Sequence, residues 1–447
     1  MAATIQGEIG RSGRLTVGLS GGVDSVVLLD CLARVARRPR FRLSALHVNH
    51  QLSPNAASWS AFCRRLCRER GIPFESVTVR VRRGGGLEAE ARAARYEAFA
   101  RQDSDYIVLA QHRDDQVETF LLQLLRGAGV KGLAAMPVLR MAEGGGRMAE
   151  GKPGKTGPAT SLRILRPLLD VTREEILAYA RKKKLKWMED ESNADSRFPR
   201  NYLRHEVLPA IARRFPAYRS AIARSARHIA EAHQVLDEVA AADGAGCLRD
   251  GILEVAGLRE LPAARARNLL RYFIAGRGVA MPATGRLDEA LRQMLVAKRD
   301  ARVAVELEGA ALRRFKGRIH LVRKASAPGD VSRRWRGEAQ VPLPELGGML
   351  TMARCVGSGI SLARLRGQPV TIGVRRGGER LQPDCRRPRR SLKNLLQEAG
   401  MPLWQRERLP LLFHGRVLVW VPGIGVDCAY QAKGGEPALA PRWSAPG

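Results

Sequence analysis

The chain has 447 residues, of which 45% are hydrophobic, and this is enough for two or three domains with cores of their own. Its 76 Lys and Arg residues against 44 Asp and Glu residues give a formal net charge of +32. Such an excess indicates a polyanionic partner, most often nucleic acid. The alternative explanation is a compositional bias that places arginine on solvated surfaces. The chain shows no apolar run of roughly 20 residues and no signal-peptide core, so we expect a cytoplasmic protein without a membrane partner.

The seven cysteines are scattered and form no C-x-x-C pair. Cys63 and Cys67 stand four residues apart in a predicted helix and therefore share one face. We interpret the cysteines as small core residues in a reducing compartment.

Strand and helix patterns alternate through the first part of the chain. The strands are predicted at 14–19, 41–49, 76–81 and 105–110, and the helices at 24–36, 56–70, 87–102 and 114–126. This alternation predicts parallel βαβ units in a doubly wound α/β sheet. Ligands of such sheets bind beyond the carboxyl ends of the strands.

The rest of the chain has a different character. Residues 141–161 are rich in glycine and lysine without periodicity, which predicts a mobile insertion. Thr172 and Glu175 have the spacing of a capping box. Helical patterns at 217–242 and 262–300 precede a predicted linker at 325–340, and residues 370–430 combine short strands with one helix. We therefore predict three domains, at 1–212, 217–325 (helical) and 340–432 (small, α+β).

The stretch SGGVDS lies between the first strand and the first helix. It comprises Ser20, Gly21, Gly22, Val23, Asp24 and Ser25. Paired glycines at a strand-to-helix turn let backbone N–H groups converge on an anion, and the helix N-terminus and hydroxyls add to this. The chain has no G-K-[ST] here, which excludes a Walker A loop. Asp24 beside phosphates implies Mg²⁺. The alternative is a tight turn of small residues.

Further polar groups follow the fourth strand. Asp115 and Glu118 share one face of the helix that begins there, and His112 and Asp114 stand at its start. Such a carboxylate cluster can hold Mg²⁺ or the ammonium group of an amino acid. The alternative, that the acids only stabilise the helix N-terminus, accounts for Asp114 or Asp115 but not for Glu118 as well.

Basic residues stand at three other places. Arg92 and Arg95 lie on one face of the third helix with Glu88, where a solvated ladder of ion pairs is the alternative to ligand contact. The turn with Arg126, Gly127, Gly129 and Lys131 suits phosphate. The polar segment with Asn201, Arg204 and His205 fits either a site or the end of a basic helix.

The motif SGGVDS resembles the PP-loop of the ATP-pyrophosphatase superfamily. Within it, the tRNA(Ile)-lysidine synthetase family is similar to this chain in HVNHQL (47–52), in 88–99, in AQHRDDQVETFLLQLLRGAGVKGLAAM (110–136), and in 166–176, 189–209 and 377–427. The resemblance implies that ATP activates the wobble cytidine of a CAU-anticodon tRNA(Ile) at C2. Free L-lysine then displaces AMP and gives lysidine, which pairs with A.

The resemblance also implies roles for single residues. Asp24, His112, Asp114, Asp115 and Glu118 would be catalytic, with Asp24 also holding the metal. ATP would be bound by residues 20–25 together with His47, Asn49, His50, Arg92 and Arg95. The substrates would be bound by Asp115, Glu118, Arg126, Lys131, Asn201 and Arg204. The cofactors would be ATP and Mg²⁺, and the two later domains would bind tRNA. The oligomeric state is open, a homodimer included.

Two other functions compete with this interpretation. A tRNA thiolase on the same scaffold would rely on cysteine pairs or an iron–sulfur cluster, which the cysteine spacing does not support. A non-catalytic RNA-binding protein would not need the Ser/Gly/Asp loop or the acids after the fourth strand. In the tail, the RRPRR run and Trp404 suit RNA contact, with a core position for Trp404 as the alternative.

Overall fold

The computed structural model describes residues 13–36, 41–51, 55–80, 87–141, 162–189, 195–298, 303–324, 329 and 331–444. They form two compact units, residues 1–239 and 240–447. The predicted insertion lies outside the described residues from position 142 onward. Among the described residues, no helix is both long and apolar enough to cross a bilayer.

A six-stranded sheet of order β3-β2-β1-β4-β6-β5 organises the first unit. Its strands are β1 Arg14–Gly18, β2 Arg42–Asn49, β3 Phe74–Thr78, β4 Tyr106–Val108, β5 Leu139–Met141 and β6 Arg163–Leu165. β5 runs antiparallel to β6, and every other pairing is parallel. Leu15 and Val17 of the central strand β1 are fully buried, as expected for a strand covered on both faces. The doubly wound α/β prediction is confirmed.

Helices connect these strands and extend the unit. They are α1 Val23–Ala36, α2 Ala56–Glu69, α3 Leu87–Ala100, α4 Arg113–Leu125, α5 Val130–Leu133, α6 Arg173–Lys182, α7 Pro199–Tyr202, a π-helix at Leu203–Val207, α8 Leu208–Arg214 and α9 Tyr218–Gly244. The predicted capping box is present at the start of α6, because Thr172 N–H donates to Glu175 Oε2 at 2.7 Å and Glu175 N–H donates to Thr172 Oγ1 at 3.2 Å.

Strand β3 begins two residues earlier than the sequence pattern predicts. Parallel pairing with β2 sets its position, since Ala45 lies beside Phe74 and Asn49 beside Thr78. The Ala45 N–H donates to the carbonyl oxygen of Pro73 at 2.9 Å. The ladder with the neighbouring strand therefore overrides the local alternation from which the strand was predicted.

The second unit combines helices with antiparallel sheets. Its helices are α10 Val255–Glu260, α11 Ala263–Ala275, α12 Thr284–Val296, α13 Leu392–Glu398 and α14 Leu403–Arg406. One sheet has the order β7-β8-β11-β10-β9, from β7 Leu248–Arg249, β8 Ile252–Glu254, β9 Ala304–Leu307, β10 Ala310–Phe315 and β11 Arg318–Arg323. The helical patterns predicted at 262–300 are present as α11 and α12, but the sequence analysis did not predict the sheet.

Three further sheets follow. They contain β12 Ser332–Arg334, β13 Gln340–Leu343, β14 Gly348–Val356, β15 Ile360–Ser361, β16 Val370–Gly373, β17 Arg380–Leu381, β18 Arg390–Ser391, β19 Leu411–His414, β20 Val417–Val421, β21 Gly425–Val426 and β22 Pro437–Ser444. Their orders are β12-β16-β19-β20-β21, β13-β14-β22-β15 and β17-β18. Helix α13 has Ser391 as N-cap and lies within the predicted α+β region at 370–430.

Cys385 and Cys428 form a disulfide, with Cα atoms 5.4 Å apart. The interpretation of all seven cysteines as separate core residues is therefore wrong for this pair. The pairing depends on a long-range contact, because Cys428 N–H donates to the carbonyl oxygen of Gln382 at 2.7 Å. Cys63, Cys67 and Cys247 are free and buried, as expected.

Trp404 packs among other side chains of the second unit. Its ring centroid lies 6.1 Å from that of Phe315 and 5.3 Å from that of His320, both edge to face. The Arg313 guanidinium lies 5.5 Å from the Trp404 ring. These contacts support a packing role for Trp404 over an exposed ring that stacks on a base.

Candidate active site

The loop between β1 and α1 is held in shape by its own small residues. Gly21 has a φ of +94°, a conformation that strains any residue with a Cβ. Its N–H donates to Ser25 Oγ at 3.2 Å, and the Gly22 N–H donates to Ser20 Oγ at 3.3 Å. The two hydroxyl oxygens lie 3.1 Å apart. Backbone N–H groups and hydroxyls thus converge at the N-terminus of α1, in an arrangement that suits phosphate oxygens.

Strand β2 supports this loop from beneath. The buried His47 ring places Nδ1 2.9 Å from the carbonyl oxygen of Leu19 and 3.8 Å from Cys63 Sγ. Burial lowers the pKa of His47, while the bond to Leu19 opposes this. The imidazole bonds the backbone of Leu19, the residue before the loop, and so fixes where the loop starts. His47 therefore supports the loop from behind.

Asp24 meets the polar groups that follow β4. Its Oδ1 atom lies 3.7 Å from His112 Nε2, and the same nitrogen lies 3.5 Å from Asp115 Oδ2. His112 is 2% exposed. Asp24 Oδ1 is buried and accepts no hydrogen bond from the described residues. Burial raises the pKa of Asp24, although the nearby His112 opposes the rise. The loop and the start of α4 therefore form one cluster of ionisable groups.

The acids at the start of α4 have different partners. Asp115 Oδ2 accepts a hydrogen bond from the His112 N–H at 3.0 Å and caps the helix. Asp114 accepts from the Arg173 N–H at 3.0 Å and from Arg219 Nε at 2.6 Å. Burial opposes ionisation of Asp114, but these two bonds outweigh it and lower the pKa. Asp114 therefore anchors α6 and α9 to α4, whereas Asp115 also faces His112.

Glu118 forms a buried ion pair one turn further along α4. Arg204 donates to its Oε1 at 2.7 Å and to its Oε2 at 2.9 Å. Arg200 Nε lies 3.5 Å from Oε2. The Glu118 side chain is 1% exposed. Burial raises the pKa of Glu118, against the opposing effect of Arg204. Arg204 belongs to the π-helix, and such irregular turns occur often at functional sites.

The residues predicted to bind the nucleotide stand near the ends of β2 and on α3. Arg95 Nε lies 3.4 Å from His50 Nε2. Burial, followed by the charge of Arg95, lowers the pKa of His50 to about 4. Arg92 is exposed and lies 5.2 Å from the Tyr96 ring. Asn49 Oδ1 accepts from the Gln51 N–H at 2.8 Å. These residues carry unprotonated imidazole and exposed guanidinium groups, which suit a nucleotide.

Other predicted residues lie apart from the cluster. Arg126 is exposed just beyond the far end of α4, about 16 Å along the helix from Asp115 at 1.5 Å per residue, and Lys131 is exposed in the short helix α5. Asn201 is buried, and its Nδ2 donates to the carbonyl oxygen of Asp195 at 3.0 Å. His205 is exposed. The structure therefore brings together the acids, His112 and Arg204 but not the basic turn.

Arg166 is a residue of the site that the sequence analysis did not single out. It is 1% exposed and donates to Gln111 Oε1 at 3.0 Å and to the carbonyl oxygen of Pro137 at 2.9 Å. Burial lowers its pKa. Gln111 directly precedes His112, so Arg166 fixes the turn that presents the imidazole. Its place in RPLLD, directly after β6, was the available signal.

Known proteins are similar to this chain over nearly its whole length. Three family models match this chain: a PP-loop domain at residues 3–211, a TilS substrate binding domain at 253–320 and a TilS substrate C-terminal domain at 370–443. A tRNA(Ile)-lysidine synthase of Nitrosomonas europaea is 46% identical over 98% of this chain and 93% of its own length. Those of Coxiella burnetii and Pseudomonas aeruginosa are 38% and 40% identical, over 94% and 93% of this chain and 91% of each relative.

Solved structures are more distant. The U34-tRNA thiolase NcsA of Methanococcus maripaludis is 18% identical, with a TM-score of 0.41 over 51% of this chain and 76% of that chain. A TilS C-terminal domain is 19% identical, with a TM-score of 0.24 over 27% of this chain and 99% of that chain.

Proposed function

This chain belongs to the tRNA(Ile)-lysidine synthase family and is a ligase, and from this premise we propose how it works. It joins free L-lysine to C2 of the wobble cytidine in the CAU anticodon of tRNA(Ile). The C2 oxygen attacks the α-phosphorus of ATP, and pyrophosphate leaves. The lysine ε-amine then attacks C2, and AMP departs with the former C2 oxygen. The observation that carries the proposal is the meeting of Asp24, His112 and Asp115 beside the glycine loop.

The loop residues hold the phosphates of ATP. The donors at the α1 N-terminus are the N–H groups of Gly21 and Gly22 and the hydroxyls of Ser20 and Ser25, which bond one another in this structure and exchange those bonds for phosphate oxygens when ATP binds. Donors fixed before the reaction stabilise charge that develops on the leaving pyrophosphate. We assign the base and ribose of ATP to the side of β2 and α3, where Asn49, His50, Arg92 and Arg95 stand.

Asp24 fits a magnesium ion. Its buried Oδ1 atom has no hydrogen-bond partner among the described residues, and a carboxylate oxygen is a preferred ligand of Mg²⁺. When bound, the ion neutralises phosphate charge. No other acid of the cluster matches this description, because Asp114 bonds Arg219, and Glu118 bonds Arg204.

Asp115 is the carboxylate best placed to receive the lysine ammonium group. Both oxygens of Glu118 already accept hydrogen bonds from Arg204, whereas Asp115 Oδ1 lies 3.8 Å from Arg204 Nη2 and is less constrained. The ammonium group must lose a proton before it attacks, and a carboxylate at this position can accept it. Glu118 then acts on the substrate through Arg204, which it holds in place.

In this proposal the rest of the chain binds the tRNA. Residues 217–325 and 340–432 contact the body of tRNA(Ile), consistent with the chain's net charge of +32. Arg126 and Lys131 stay assigned to phosphate contact, away from the acids. Three-domain boundaries, a cytoplasmic location and a homodimer also remain predictions.

The thiolase alternative finds no support in the cysteines nearest the loop. Cys63 and Cys67 are both 0% exposed within the core that packs beneath β1 and β2. Burial raises the pKa of Cys63 to about 12 and that of Cys67 to about 11. Thiols of this kind are poor sulfur carriers, since the thiolate is the reactive form.

Pyrophosphate release tests the proposed order of steps. We expect release from ATP to require a CAU-anticodon transcript. The first turnover should proceed without lysine, because adenylation precedes lysine attack. A transcript with G at the wobble position serves as the control. Release that ignores the anticodon, or that requires lysine in the first turnover, would contradict the mechanism.

A further inference from the structure

A second polar pocket lies on the outer side of the first unit, between α2 and the edge strand β3. It has a volume of about 550 Å³. Arg64, Arg65 and Arg68 of α2 line it together with the hydroxyl groups of Ser60, Ser76 and Thr78. Within the part of the chain that the structure describes, no acidic side chain lines it. Three guanidinium groups beside hydroxyl donors make a site for anions rather than for apolar ligands.

The arginines of this pocket lack acidic partners. Among the described residues, no ion pair joins Arg64, Arg65 or Arg68 to a carboxylate within 4.0 Å. Arg64 and Arg68 are also four residues apart on one helix, where like charges repel. An anion bound between them would remove that repulsion.

Aromatic rings hold two of these arginines in place. The Arg64 guanidinium lies 5.9 Å from the Phe74 ring, and that of Arg65 lies 5.8 Å from the Phe62 ring. Phe62 is itself buried in the core. These contacts favour one placement of each guanidinium group, which reduces the conformational entropy lost when an anion binds.

The pocket is close to the site of chemistry. Asn49, at the carboxyl end of β2, also lines it and pairs with Thr78 at the end of β3. β3 stands two strands from β1, which is about 10 Å at the usual spacing of 4.8 Å. The pocket is thus reached from the same sheet edge as the glycine loop.

We propose that this α2–β3 pocket binds the phosphodiester backbone of the substrate RNA, next to the nucleotide that enters the active site. The inference rests on the proposed function. Arg64 and Arg68 are separated by about 6 Å along the helix axis, a spread that suits successive phosphates of a strand better than one compact anion. Among the described residues, no aromatic side chain lines the pocket, which favours contact with the backbone over contact with bases.

A matched pair of double variants tests this. Arg64→Ala/Arg68→Ala removes two charges from the pocket. Arg42→Ala/Arg101→Ala removes two exposed charges at the opposite, amino-terminal edge of the sheet. Binding of the CAU transcript to the full chain is measured over a range of salt concentrations. We expect the pocket variant to bind about tenfold more weakly, and the slope of log K against log salt to fall by about 2.

Several controls separate the outcomes. Arg64→Lys/Arg68→Lys should keep the salt slope, and ATP binding should be unchanged in every variant. Unchanged affinity and slope in the pocket variant, or an equal loss in the control variant, would overturn the inference. Titration of inorganic phosphate that weakens only in the pocket variant, with tRNA binding intact, would assign the pocket to a small anion instead. Absence of lysidine formation by the wild-type protein marks failure of the proposed function itself.

Discussion

Arg204 donates to both carboxylate oxygens of Glu118, at 2.7 and 2.9 Å, from within a π-helix. The pair joins α4, which carries the active-site acids, to a segment 86 residues further along the chain. The Glu118 side chain is fully buried and that of Arg204 is mostly buried. Each charge is therefore stabilised mainly by the opposite charge of its partner. The pair therefore supports the shape of the site and presents Arg204 to it.

Removing the Glu118 carboxylate should destabilise the protein. Glu118→Ala leaves Arg204 without its main partner, and we expect the free energy of unfolding to fall by about 2–3 kcal/mol. Glu174→Ala is the control, because Glu174 is 75% exposed and lies 3.5 Å from Arg219. It should cost less than about 0.5 kcal/mol. Urea unfolding of both variants measures this, and equal small losses would refute a structural role for the ion pair.

Substitution of Asp115 should impair the use of lysine more than the adenylation step that uses ATP. In Asp115→Asn the amide keeps the bond to the His112 N–H but no longer attracts an ammonium group. We expect the KM for lysine to rise at least about tenfold with near-normal formation of adenylated tRNA. Separate assays of pyrophosphate release and lysine incorporation measure the two steps. Equal loss of both steps would show that Asp115 belongs to the metal and phosphate site.

Asp24 should be needed for adenylation and not for tRNA binding. Asp24→Asn removes the metal ligand and should slow pyrophosphate release at least about 100-fold. Gel-shift affinity for tRNA should stay within about twofold, because Asp24 is not among the RNA contacts proposed above. Asp103→Asn, at a side chain that is 90% exposed, is the matched control. Pyrophosphate release at the wild-type rate in Asp24→Asn would show that the loop is not needed for adenylation.

The same substitution should change the dependence of stability on pH. Burial raises the pKa of Asp24 above 3.8, so the folded state binds this proton more tightly than the unfolded state. Between 3.8 and the raised pKa, the free energy of unfolding therefore falls as pH rises. Asparagine does not ionise, so Asp24→Asn should be the more stable protein above this window in EDTA.

Magnesium should make the wild-type protein more stable than Asp24→Asn, because the ion stabilises only the protein that binds it. Thermal unfolding from about pH 4 to about pH 8, with EDTA or with Mg²⁺, measures both effects. The same pH dependence in wild type and Asp24→Asn would contradict a buried Asp24. An equal response of the two proteins to Mg²⁺ would contradict its role as ligand.

Local patterns were sufficient to predict four of the six strands of the first sheet, the glycine loop and the capping box at Thr172, but not β5 or β6. The loop and the capping box depend on residues within a few positions of one another, and the four strands were read from their alternation with helical patterns. The same holds for the start of α4, where His112 and Asp115 lie three apart. The family resemblance added the reaction, and the nucleotide-binding residues that it implies remain predictions.

Long-range partners could not be predicted in this way. Arg219 bonds Asp114 across 105 residues, and Arg166 bonds Gln111 across 55. Nothing in either local sequence indicates the partner, because both contacts arise only when the sheet and helices pack. In the sheet of β7–β11 only the pairing of β8 with β11 is of this kind, since three helices lie between them; the hairpins β7–β8, β9–β10 and β10–β11 join sequence neighbours and were missed all the same.

The most direct test of the whole account is the mass of the nucleosides in a CAU-anticodon tRNA(Ile) transcript after incubation with the protein, ATP, Mg²⁺ and lysine. We predict that one cytidine gains the mass of lysine less one water, at the wobble position alone. The product should be absent without ATP and in Asp24→Asn. An unmodified cytidine, or a gain of sulfur in place of lysine, would contradict the account.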